Sequence, residues 1–490
     1  MRKLLYSILI FPLLLAFVGC NNLLDIKPVN SMIPVSIEDF ESLLIGGYPK
    51  SEFFMKTEYS TDNVYANLNT MYGIDKSNEP FFVWASTHEL PTATTDPYWG
   101  TLYKTIFYAN SVLDDFEKRI PAEAEKELYE IVKGEAYALR AYAYFYLINL
   151  YAENYAPENM DKPGVPMPLT AEDVQMTSQN NVREPVKVVW EQINQDLDNA
   201  TTLLSGKMAK SDYRFNYTSL QAFKARVYLF MGEWEKAISA ATDVMNTKSL
   251  FDMNNLQSYI DEEGNRYAFG GDYGFTDTDY TKEILFWVGG KANGNMFYYD
   301  SYMGAPDPSL LELCSRNDTI LDYRRYIFDS FLDLTDPNSA ATGPTVYHFY
   351  GYQGTPCYYV GIELSEMYVT RAEAYMKKEK PEPGKAIADL NELLKSRIRT
   401  KDYVALKESD FKTNEDLLKR ILEERRLETA FDAGLRWFDL RRLGKPEIRH
   451  AYKNGICFET RRFAVCLANS DFGTECQPKY AFESKRLVKL

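Results

Sequence analysis

Arg140-Ala141-Tyr142-Ala143-Tyr144, Lys224-Ala225-Arg226-Val227-Tyr228 and Arg371-Ala372-Glu373-Ala374-Tyr375 carry one five-residue pattern: basic, alanine, any residue, small, tyrosine. The small positions let a neighbouring helix approach closely, and the tyrosine fills the groove beside them. After the second copy come Gly232, Trp234, Ala237, Ala240 and Ala241; after the third come Pro383-Gly384, Ala386 and Leu390. Helix, turn and small-residue helix in that order make a unit like the tetratricopeptide repeat. The copies are not tandem, so long insertions separate them.

Working outward, Val186, Val189, Ile193, Leu197, Ala200 and Leu204 step by three or four, one face of an amphipathic helix with Pro185 suited to its first turn. Ala136, Leu139, Ala143, Leu147 and Leu150 do the same. These periods predict repeats near 122–152, 216–247 and 363–398, with a fourth near 415–442 around Ile421. Two stretches break the helical pattern. Residues 253–360 are rich in Gly, Asp, Asn, Pro and aromatics, as in Tyr267-Ala268-Phe269-Gly270-Gly271-Asp272-Tyr273-Gly274-Phe275. Residues 59–99 read similarly. Long irregular segments inside a domain are usually functional. The expected architecture is mostly α: a tetratricopeptide-like helical scaffold under a loop-rich ligand-binding cap, as one domain over 34–490.

The N-terminus reads as an export address. Arg2 and Lys3 precede an apolar run, Leu4 to Val18, interrupted only by Tyr6, Ser7 and Pro12. That run is too short for a ~20-residue spanning helix and suits a signal peptide. It ends in Phe17-Val18-Gly19-Cys20, which resembles the lipobox of bacterial lipoproteins, with Phe17 where Leu is usual. Residues 1–19 are the expected signal peptide, Cys20 the lipidation site and 20–33 a tether. The competing reading is a plain secretory signal that happens to end near a cysteine.

The 490 residues carry a net charge of −15. That repels a polyanion, so nucleic acid is set aside as a partner. The 37 Tyr suit surfaces that bind neutral polar ligands such as sugars, although most are expected to pack between helices. Beyond Cys20 stand Cys314, Cys357, Cys457, Cys466 and Cys476, an odd number, of which the last three can supply one disulfide in an oxidising compartment. Their spacings fit no zinc site.

Catalytic motifs are absent. The three histidines, His88, His348 and His450, sit in no His-Glu-x-x-His pattern; there is no Gly-x-Ser-x-Gly and no phosphate-cradling Gly loop. Asp272, Asp277 and Asp279 lie near glycines without calcium-loop spacing, so solvated loop acids outweigh a Ca²⁺ site there, and no cofactor is expected.

Near the C-terminus, Ile421-Leu422-Glu423-Glu424-Arg425-Arg426-Leu427-Glu428 is followed by Ala430-Phe431 and by Gly434-Leu435-Arg436-Trp437-Phe438-Asp439-Leu440-Arg441-Arg442. This resembles the SusD/RagB family, whose members show Glu-Arg-Arg-x-Glu and then Gly-x-Arg-Trp-x-Asp-Leu-x-Arg. Asp432-Ala433-Gly434 stands where Glu-Gly is commoner. Leu24-Asp25, Trp99-x-x-Leu-Tyr103 with Asn110, and Glu135-x-x-x-Leu139-Arg140-Ala141-Tyr142 extend the resemblance over nearly the whole chain. From the residues alone, Glu424, Arg426 and Glu428 are expected to pair across one helix face, Gly434 to end or bend that helix, and Trp437 and Leu440 to dock.

The resemblance implies a non-enzymatic outer-membrane lipoprotein at the cell surface. It would sit as a lid on a SusC-type TonB-dependent transporter, capture oligosaccharides and deliver them for import. Peptide capture, as in some members, and a secreted glycosidase are the alternatives; acidic loops around 272–279 favour basic peptides slightly. Aromatic platforms are sought in loops: Trp84, Tyr98 and Trp99 in the first insertion, Tyr273, Tyr298 and Tyr299 in the second, with Asp62 and Asn63 as polar readers. The competing reading places the Trp99 ring in the core, at the start of a helix running to Asn110.

Overall fold

The computed structural model describes residues 34–49, 55–66, 79–84, 97–176, 182–255, 283–291, 304–314, 320–325, 357–359, 361–432, 434–452, 456–460 and 484–487. Helices dominate them, and each packs on the next in a continuing succession. The helix Pro97–Phe116 lies on Lys126–Tyr151, which lies on Val186–Leu204. Tyr217–Met231 packs on Trp234–Met245, that on Leu364–Lys377, and that in turn on Pro383–Arg397 and Asn414–Glu428. No helix among the described residues is long and apolar enough to cross a membrane.

The periodic faces explain this order. Val186, Val189, Ile193, Leu197, Ala200 and Leu204 are all buried, as are Ala136, Leu139, Ala143, Leu147 and Leu150. Pro185 stands one place earlier than the sequence suggests, as the N-cap. Close approach is literal at Gly134, where an added Cβ would lie 2.8 Å from Leu204 Cγ and 3.0 Å from Leu203 Cβ. The turn between the 217–231 and 234–245 helices needs Gly232, whose φ of 72° is left-handed and whose N–H caps the carbonyls of Tyr228 and Leu229.

The pentads play three parts. Their small positions, Ala141, Ala143, Ala225, Val227, Ala372 and Ala374, are all buried. Their basic residues reach a neighbouring helix: Arg140 grips Asp196 at 2.8 and 2.7 Å, Arg371 grips Asp389 at 2.9 and 2.6 Å, and Lys224 reaches Thr201 Oγ1 at 2.9 Å. The position read as "any residue" is buried in all three copies, as Tyr142, Arg226 and Glu373. Arg226 makes a two-pronged pair with Glu366 at 2.8 and 2.6 Å and also donates to Tyr146 Oη and the Gly361 carbonyl. Glu373 receives Arg442 through both oxygens, at 2.6 and 2.8 Å. This is where the interior polar wiring of the scaffold runs.

The 59–99 insertion gives way to helix at Pro97, two residues earlier than its expected end, because Pro favours a first helical turn and Leu102, Ile106, Ala109 and Leu113 continue a helical period. Short strands tie the two insertions together: Val64–Ala66 pairs antiparallel with Gly304–Pro306, and Asp307 N–H donates to the Asn63 carbonyl at 2.7 Å. Ile284–Phe286 pairs with Ile362–Glu363, Gly289–Lys291 with Cys357–Tyr359, and Arg449–Tyr452, Ile456–Thr460 and Ser484–Leu487 form a three-stranded sheet.

Candidate functional site

The C-terminal motif and the first insertion meet in one seam. The helix Asn414–Glu428 opens with a capping box from Thr413 and Asp416, and Gly434, with φ of 68°, begins the helix Leu435–Arg442. Trp437 and Leu440 dock into the core as expected. Glu424, Arg426 and Glu428, however, do not pair with one another across the helix face. Glu424 takes Arg420 and Arg324 at 2.7 Å each, while Glu428 takes Arg324 at 2.8 Å and Arg397 at 3.0 Å. Arg426 donates to Asn63 Oδ1 at 2.8 Å and Ser309 Oγ at 2.9 Å. Burial drives the difference: these side chains face neighbouring segments in the interior, where a two-pronged guanidinium–carboxylate pair is worth far more than an exposed pair on one helix.

Asp62 and Asn63 belong to this seam. Arg436 clasps Asp62 at 2.7 and 2.6 Å, and Arg426 also reaches the Asp62 carbonyl. Burial works to raise the Asp62 carboxyl, but the Arg436 and Arg426 guanidiniums outweigh it and hold it below the ordinary carboxylate range. Next to it, burial pushes Glu58 up to about 8, since only Asn63, Thr61 and the more distant Arg436 favour its charge. Asp432, buried beside Glu363, is likewise pushed well up. Arg425 pairs with Asp439 at 2.8 Å, and Asp439 also receives Arg442 at 2.7 Å. Arg441 is different: its donors go to the backbone carbonyls of Asn149 and Ala152 at the end of the 126–151 helix, and burial lowers its guanidinium to about 10. A cation at that helix's C-terminus complements the exposed carbonyls there.

The aromatic candidates occupy several places. Trp84 is fully buried, with its indole N–H donating to the Ser60 carbonyl at 3.2 Å. Tyr98 and Trp99 lie on the 97–116 helix rather than in a loop, and both are buried; the Trp99 ring packs edge-on to Tyr151 and beside Tyr103, both at 4.8 Å. The Trp99 motif leads to a proline-rich strap. Tyr103 Oη donates to the Pro166 carbonyl, Asn110 and Tyr144 to that of Pro168, and Arg140 to Asn110 Oδ1. Tyr273, Tyr298 and Tyr299, the acids 272, 277 and 279, Cys20, Cys466 and Cys476 fall outside the described residues, and Cys457 lies in the Ile456–Thr460 strand. Cys314 is buried. No group of three or more His, Cys, Asp or Glu that could hold a metal occurs among the described residues.

The structure brings together Asp62, Asn63 and Trp84, and it adds partners that sequence reasoning missed: Glu58, Asp307, Arg426, Arg436 and His450. A short groove of about 380 Å³ borders this seam, walled by Leu313, Leu418, Leu422, Leu440, Leu443 and Pro446.

Known proteins share this plan. Residues 22–229 match a SusD-like family model described as starch-binding and associating with the outer membrane, and residues 344–469 match the SusD family model. Two SusD-like proteins of Formosa agariphila are similar. One is 26% identical over 258 residues, 50% of this chain and 45% of that protein. The other is 23% identical over 487 residues, 89% of this chain and 90% of that protein. The chain thus spans under half of the first relative and nine-tenths of the second. A SusD superfamily structure from Bacteroides thetaiotaomicron superposes with TM-score 0.63 at 23% identity, covering 83% of this chain and 89% of that one. A SusD-like carbohydrate binding protein from Bacteroides vulgatus gives 0.63 at 19% identity, covering 87% of each. With two family models over most of its length and this shared fold, the chain belongs to the SusD/RagB family.

Proposed function

We propose that this chain is a cell-surface lipoprotein, anchored through lipid on Cys20, that captures oligosaccharides and delivers them to a SusC-type TonB-dependent transporter. SusD/RagB proteins are non-catalytic binding proteins of the outer membrane. The observation that carries the reading is the family match on both halves of the chain, joined here by the Asp62–Arg436 clasp. A SusD-like protein that binds laminarin shares the fold, with TM-score 0.53 at 18% identity over 84% of this chain and 91% of that one. A loop-borne aromatic face supports sugars because a pyranose presents an apolar side to a ring and hydroxyls to polar neighbours. Tyr273, Tyr298 and Tyr299 supply such rings in this proposal, with Asp62 and Asn63 as the polar groups.

The test is calorimetry and tryptophan fluorescence against a broad glycan panel. Heat or quenching with an oligosaccharide supports the proposal. Silence across the panel with binding to peptides would replace sugar by peptide, and product formation at enzyme concentrations far below substrate would make the protein a glycosidase. Cys20→Ala should leave binding intact in solution and abolish uptake in cells; full uptake would refute the anchored-lid arrangement.

A further inference from the structure

His450 occupies an unusual place. It lies on the strand Arg449–Tyr452, opposite Phe458, and is buried. Its Nδ1 is 2.8 Å from the Phe82 carbonyl oxygen and its Nε2 is 2.8 Å from the Thr61 carbonyl oxygen. The ring also stacks on Phe82 and on Trp84, each with centroids 4.2 Å apart. A neutral imidazole has one N–H, so one of the two contacts would set a nitrogen lone pair against a carbonyl oxygen. Only the imidazolium donates to both, and aromatic faces favour a cation above them.

A second observation bears on the same spot. Trp84 has φ of 47°, a left-handed conformation that a bulky residue rarely adopts. It is held there by the His450 stack and by the indole bond to Ser60, whose own hydroxyl donates to the Phe81 carbonyl at 3.0 Å. Backbone strain of this kind persists only where surrounding contacts over-determine it.

We propose that His450 is a proton-operated latch: as an imidazolium it clamps the 57–63 segment and the 81–84 turn to the 449–452 strand, and losing its proton releases one of them. The clamped segments carry Asp62, Asn63 and Trp84, so the latch governs how rigidly that part of the cap is presented. It stands independently of which ligand the cap binds.

Among the described residues, the charged groups around it are few. Asp62 faces it from the 57–63 segment, which also carries Glu58, and Asp307 from beyond the 304–306 strand, while Arg426 and Arg436 on the C-terminal helices are engaged with Asp62 and Asn63. Arg449 on its own strand is exposed beside Glu447. Burial outweighs the opposing pull of the two carbonyls, Asp307 and Asp62, so the imidazole gives up its proton below the ordinary histidine range.

The chain has three histidines, so nitrogen-15 imidazole spectra can be assigned with His88→Asn and His348→Asn variants. The latch predicts a doubly protonated His450 at pH 5. It also predicts at least a fivefold loss of amide-exchange protection, or a fivefold faster proteolytic nicking, across 57–63 and 81–84 between pH 5 and pH 8.5. Glu58 titrates in the same window, so the comparison is made on a Glu58→Gln background, where His450→Gln should abolish the pH dependence. A singly protonated His450 at pH 5, or protection unchanged over that range in wild type, would overturn the proposal. So would the same pH dependence persisting in the folded His450→Gln variant.

Discussion

Replacing Arg226 by Met should cost about 3 kcal/mol, because it leaves the Glu366 carboxylate in the interior without its two-pronged partner. The figure sits at the low end of the range for broken buried pairs, since Arg425 Nη2 lies 3.8 Å from Glu366 and supplies partial compensation. Glu366→Leu should cost more, about 4 kcal/mol, because it strands a fully buried guanidinium. The double variant removes both charges and leaves chiefly the Gly361 carbonyl without its donor, a loss of about 2 kcal/mol. The singles therefore sum to about 7 kcal/mol against about 2 for the pair together, a coupling well above 3 kcal/mol. Urea unfolding followed by far-UV circular dichroism on the four proteins measures it. A coupling below about 1 kcal/mol, with the single costs simply adding, would refute the claim that the third pentad position wires the helices together.

Other consequences follow from single positions. Glu58, raised to about 8 when folded, binds more protons folded than unfolded between its ordinary value and pH 8, so its contribution is present below about 4.5 and lost as pH rises. Glu58→Gln should therefore flatten the stability profile over that window and gain on the order of 2–4 kcal/mol at pH 8, read by denaturant midpoints at several pH values. Gly134→Val should lose about 2 kcal/mol or more, because its side chain would overlap Leu203 and Leu204 on the facing helix; an unchanged thermal midpoint would contradict that packing. Gly232→Ala should cost about 1 kcal/mol from the left-handed turn alone, visible as a lowered melting temperature without change in secondary structure.

The helical scaffold was legible because its signal is local. A face such as Val186 to Leu204 repeats within one helix, and every residue read on it is buried. The pentads were legible for the same reason, but their third position was not. Arg226 and Glu373 look like solvent-facing charges until Glu366 and Arg442 are placed beside them. The seam at Asp62 was harder still. Its clasp joins residues 374 apart in sequence, and no periodicity links them. Asp62 and Asn63 stood out as polar groups in an irregular stretch, yet their arginine partners were read only as part of a helix motif. His450 carried no motif, and only the two carbonyls and two rings around it give it meaning.

The Asp62–Arg436 clasp also bears on the order in which the molecule can be completed. A chain emerging from a ribosome or a translocation pore with its N-terminus first would display the 57–66 segment long before residue 426 or 436 arrives. Individual helix pairs such as 217–231 with 234–245 have short separations and can form early. The seam cannot, since closing a loop of several hundred residues must wait for the final helices and is slow once they come. Until then Asp62, Glu58 and Asn63 remain hydrated, and the first insertion has no fixed position. The protein would thus acquire its finished cap in a single late event, and truncation before residue 426 should leave a helical but unsealed chain.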